Sequence, residues 1–158
     1  MGTIQKPSEN KDYTPVTALL SPDVPLDSFL CNFNPDDEKY VRVLFAAAQP
    51  TQFQADDYVG KEFRMMFWVC RKMEINGRAG EGKVIVIRTV LISPKMETLG
   101  TMSSGIMRSI ELFRQQFGDE IYDPAINIVV KSADVGKGGD MLFLYPADAN
   151  DATPKPNA

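Results

Sequence analysis

The sequence predicts an all-β domain with one helix, a five-stranded barrel preceded by an extended N-terminal arm. Three observations predict it. Between Lys61 and Ser93, two long stretches, KEFRMMFWVCRKME and KVIVIRTVLIS, flank the glycine-rich loop INGRAGEG. Both alternate in character, as long tilted strands of small barrels do. A single apolar stripe at helical spacing then follows in Ile106, Ile110, Phe113 and Phe117. Two further short apolar runs, AINIVVK and MLFLY, come after it. The order is strand, strand, strand, helix, strand, strand.

Taken in order, Met1 to Asp36 read as an arm, punctuated by Pro7, Pro15, Pro22, Pro25 and Pro35. Its apolar pieces, VTALL and FLCNF, are suited to packing on the domain body or on a neighbouring subunit. The domain proper runs from 37 to 146, and the polar, proline-containing stretch 147–158 reads as a disordered tail. In KYVRVLFAAAQ, Val41, Val43 and Phe45 alternate like a strand, while the alanines and leading acidic residues favour a helix. That stretch stays open between a strand and a short helix lying against the barrel.

In the first long strand, uninterrupted alternation sets Phe63, Met65, Phe67 and Val69 on one face and Arg64, Met66, Trp68 and Cys70 on the other. Glu97–Thr101 supplies a third short strand after the turn at Ser93-Pro94-Lys95. Ser103 or Ser104 is placed to cap the helix and Gly118 to stop it, with Arg108 and Arg114 off its apolar stripe. The last two strands are Ala125–Lys131 and Met141–Tyr145, joined by SADVGKGGD.

Composition narrows the chemistry. The 158 residues include no histidine, which removes His-dependent acid–base and nucleophilic catalysis. Two cysteines, Cys31 and Cys70, are too few for a disulfide scaffold or a Cys-rich zinc site. No cofactor or metal is expected, and no enzyme. VGKGGD lacks the spacing of a phosphate-binding P-loop. The N-terminus has no apolar signal core and no run is long enough to span a bilayer, so a cytoplasmic protein without membrane contact is expected. The net charge is -4, yet Lys61 to Lys137 hold twelve cations against nine carboxylates. The centre is mildly basic and the flanks are acidic.

A helix between the third and fourth strands of a five-stranded Greek-key barrel is the arrangement of the oligonucleotide/oligosaccharide-binding fold, the OB-fold. Through DDYVGKEF, GKVIVIRTVLIS and ETLGTMSSGIMRSIELFRQQFG, the chain resembles OB-fold single-stranded-DNA-binding proteins of phages and conjugative plasmids. The resemblance covers roughly Tyr40 to Tyr145, and it departs from housekeeping single-strand-binding proteins in ending ATPKPNA rather than in an acidic, apolar tip. It implies a protein that coats single-stranded DNA with little sequence preference during replication or transfer. The expected contacts are Arg64, Trp68, Arg71, Lys72, Arg78, Arg88 and Lys137. The cations would meet phosphates, and Trp68 would lie under a base if its face looks outward. The alternative for Trp68 is the core. Tyr58, Phe143 and Tyr145 are further stacking candidates, with core packing the favoured alternative for Phe143. Self-association through the N-terminal arm completes the picture. The rival readings are an accessory barrel that binds protein partners, favoured by a pI of about 4.9, and a carboxylate-based, metal-dependent nuclease.

Overall fold

The computed structural model describes residues 14–77, 79–134 and 140–147. In chain order these form β1 (Phe29–Cys31), α1 (Val41–Ala48), β2 (Phe53–Gln54), β3 (Glu62–Met65), β4 (Phe67–Asn76), β5 (Lys83–Ile92), β6 (Thr98–Thr101), α2 (Ser104–Phe117), β7 (Ile126–Asp134) and β8 (Asp140–Pro146). Five strands make one sheet in the order β1-β4-β5-β6-β2, and three make a second in the order β3-β7-β8.

The expected first strand is thus two, parted at Met66. Phe67 stands opposite Ile92, and the Met66 amide also donates to the Ile92 carbonyl at 3.0 Å. Two residues against one is a β-bulge, which bends a strand and shifts its alternation. Asn32, 1% exposed, holds the bulge from both sides. Its Nδ2 donates to the Met66 carbonyl at 3.1 Å, and its Oδ1 accepts from the Trp68 amide at 2.9 Å. The bulge overturns the expected parity. Phe63 and Met65 before it share a core cluster with Trp68 and Cys70 after it, while Phe67 and Val69 face a second cluster.

The β4–β5 hairpin is therefore buried on two sides. Trp68, Cys70, Ile87 and Leu91 look toward α2 and the three-stranded sheet. Phe67, Val69, Val90 and Ile92 look toward Phe33 and α1. The open question at KYVRVLFAAAQ resolves as a helix because Val43 and Ala47, four residues apart, both reach that second cluster. The N-terminal stretch was expected to be an arm, but from Val16 onward it packs on its own domain. Val16 is fully buried, Leu19 5% exposed and Phe33 8% exposed. Of the two placements the sequence leaves open for VTALL and FLCNF, the structure shows the one on the domain body.

The ends of α2 follow its sequence: Ser103 Oγ accepts the Gly105 amide at 3.2 Å, and Gly118 closes the helix at φ 93°. Ile106, Ile110 and Phe113 are buried. Arg114, expected off the stripe, is also buried, at 2% exposure. The first turn of α2 lies so close to β8 that a Cβ on Gly105 would stand 2.1 Å from the Leu142 carbonyl oxygen.

That contact accounts for the largest departure from expectation. Ser109 Oγ accepts the Leu144 amide at 2.9 Å, and Ser103 Oγ donates to the Leu142 carbonyl at 3.3 Å. Helix side chains thus occupy the β8 edge that a further strand would need for closure. The other edge of β6 is taken by β2, in parallel pairing. Covering an edge with a helix is one of the ways a sheet ends without a partner strand. Among the described residues the sheets do not close into a barrel, and the α-helices number two rather than one.

Candidate nucleic-acid interface

The residues expected to contact nucleic acid are dispersed. Trp68 is fully buried, so it is no platform for a base. The bulge turns it inward, away from the face that carries Arg64. Above its ring, 5.2 Å from the centroid, lies the guanidinium of Arg114. Arg114 in turn grips Asp119 through two bonds of 2.8 and 2.9 Å, reaches Glu111 at 3.2 Å, and donates to the Thr14 carbonyl at 2.9 Å. The Val16 amide donates to the same Glu111 carboxylate. This network fastens the N-terminal segment to α2.

Lys72 is also withdrawn from solvent, at 5% exposure, with Nζ donating to the carbonyls of Ser21 (2.9 Å) and Val24 (2.7 Å). Its charge closes a turn and is not presented to a phosphate. Arg71 and Arg88 are brought together as a directly opposed pair on β4 and β5, both half-buried. Arg64 is exposed on β3. Arg78 and Lys137 lie outside the described residues.

The structure assembles a more coherent surface elsewhere. On the outer face of the three-stranded sheet, register places Arg64 opposite Asn127, Val129 opposite Tyr145, and Lys131 opposite Phe143. Directly opposed residues share a face, and Asn127, Val129 and Lys131 share one by alternation. Arg64, Lys131, Phe143 and Tyr145 therefore look the same way. Tyr145 is 49% exposed, and its ring lies 5.3 Å from that of Phe143. Lys131 Nζ sits 4.9 Å from the Tyr145 centroid. Glu62, on the same face opposite Val129, tempers the positive charge. No family model, curated protein or solved structure matches this chain.

The sequence signal for this face lies in INIVVK, whose alternation puts Asn127 and Lys131 on one side; MLFLY, apolar throughout, leaves the direction of Phe143 and Tyr145 open. Their pairing across strands is what the sequence leaves open. Tyr58, the remaining aromatic candidate, is half-buried between Phe53 (5.0 Å) and Phe63 (6.1 Å). Among the described residues, no group of three or more carboxylates and thiols is arranged to hold a metal ion, and no helix is long and apolar enough to cross a membrane.

Proposed function

We propose that the protein binds single-stranded DNA with little sequence preference, coating or protecting it during phage or plasmid replication or transfer. The observation that carries the reading is the ring pair of exposed Tyr145 and half-buried Phe143, with Lys131 over Tyr145 and Arg64 on the same sheet face. Bases of any identity stack on such rings, and cations beside them follow the phosphates. The fold reading belongs with it. A strand shared by both sheets, then β5, β6, α2, β7 and β8, supports an opened relative of the five-stranded OB barrel. Binding of this kind needs no cofactor.

Fluorescence anisotropy of labelled oligo-dT across a salt series tests it. Wild type should bind, more weakly as salt rises. Tyr145→Ala should lose about 1–3 kcal/mol of binding, roughly a factor of 5 to 150. Lys131→Ala should lower the slope of log affinity against log salt by about one. Emission from the buried Trp68 should stay unquenched. Wild-type affinity in both variants, or no binding at low salt, sinks the reading.

A second reading, a domain that binds protein, is favoured by a different surface. β6 covers β5 only over Thr89–Ile92, so Lys83–Arg88 of β5 have no strand partner on that side among the described residues. Leu20 (43% exposed), Ile85 (43%) and Met102 (50%) line a cleft beside them. Open strand edges accept extended peptides. Sedimentation of wild type and Ile85→Lys over a concentration series separates the cases for self-association: an unchanged monomer in both removes it.

A further inference from the structure

Arg71 and Arg88 stand directly opposite each other on β4 and β5, on the face that also carries Val69 and Val90. Like charges at directly opposed positions of an antiparallel pair destabilise it. The surrounding protein compensates only in part. Arg88 donates from Nη1 to the Ala47 carbonyl and from Nη2 to the Gln49 carbonyl, both at 2.8 Å, at the C-terminal end of α1. A guanidinium has five N–H donors, so most of its capacity is left over. The Arg71 guanidinium lies 5.2 Å from the Phe29 ring centroid, and its Nε is buried with no hydrogen-bond partner. Among the described residues the ion pairs are made by Arg114, and neither Arg71 nor Arg88 forms one. Burial first, and the Arg71 charge second, hold the Arg88 guanidinium below its ordinary pKa.

Two half-buried cations at directly opposed positions, with donors unspent and no ion pair to either among the described residues, lack an anion. We infer that Arg71 and Arg88 together bind a phosphate group, either free or in a nucleic-acid backbone. A tetrahedral oxyanion offers oxygens to both planar forks at once, the geometry in which arginine exceeds lysine. Such a ligand removes the like-charge repulsion between the two guanidinium groups. The site uses none of the residues of the Tyr145 face, so it stands or falls separately from the proposed DNA contact there.

Thermal unfolding in inorganic phosphate and in chloride at equal ionic strength tests the site directly. Phosphate should raise the wild-type Tm by about 2–4 °C over chloride. Arg71→Gln should abolish that rise. Arg71→Lys, which keeps the charge and loses the planar fork, should lose most of it and guards against a misfolded Gln variant. No rise in the wild type, or an equal rise in the variants, overturns the inference. Oligo-dT anisotropy then separates the two sources. A backbone phosphate makes Arg71→Gln lower the salt slope by about one, and a site for free phosphate leaves the slope unchanged.

Discussion

Cys70 is fully buried, with Sγ 3.5 Å from Thr89 Oγ1. Loss of hydration raises the cost of the thiolate and pushes the thiol from 9.0 up to about 12. A folded-state pKa above the unfolded one gives stability that is complete below the unfolded value and is lost as pH rises through the folded one. The melting temperature should accordingly fall between about pH 9 and pH 12, and less steeply in Cys70→Val. Buried Tyr122, whose hydroxyl donates to the Gly118 carbonyl, is pushed in the same direction and adds to the fall. An alkaline melting series on both proteins checks this, and identical slopes would refute the assignment to Cys70. Side chains of this kind were hard to read from sequence. Lys72 and Arg114 carry cationic groups that ordinarily lie at the surface, Trp68 was open between surface and core, and each has a partner distant in the chain: Trp68 beneath Arg114, Lys72 with Ser21 and Val24, Arg114 with Thr14.

At the scale of elements, α2 does what a closing strand would otherwise do for β8. Ser109→Ala leaves the Leu144 amide without its acceptor in a buried setting. Chemical denaturation should show a loss of about 1–3 kcal/mol, whereas unchanged stability would mean that the edge is satisfied in another way. Gly105→Ala should cost about 1–3 kcal/mol or more, since the added carbon meets the Leu142 carbonyl, which is backbone. The helix itself was legible, with its cap at Ser103, its stop at Gly118 and its stripe at Ile106, Ile110 and Phe113, because those signals are local. The long strands were legible for the same reason. The bulge at Met66 was not, because FRMMFW alternates acceptably without a break and the residue that fixes the break, Asn32, is 34 positions earlier. The outward placement of Phe143 was not legible, because MLFLY is apolar at every position and core packing was the favoured reading there, and its grouping with Arg64 depends on β7 lying between β3 and β8.

For the molecule as a whole, the Arg114 cluster joins the N-terminal segment, α2 and the core under Trp68. Arg114→Met would leave Asp119 and Glu111 without their cation, with both carboxylates still partly exposed at 29% and 18%. That exposure puts the expected loss at the lower end for a broken buried pair, about 3 kcal/mol. A urea titration should show the drop, together with faster proteolysis around Val16–Leu19. Full protection of that segment in the variant would show that Val16 and Leu19 hold it unaided.

The bulge at Met66 also governs how the molecule divides. One unbroken run of backbone, Glu62 to Asn76, gives its first part to the three-stranded sheet and its second to the five-stranded one. Any cut that frees one sheet takes away a strand of the other, and Trp68 with its neighbours loses a wall in either case. There is accordingly no seam along which this chain parts into two fragments that each keep a complete interior.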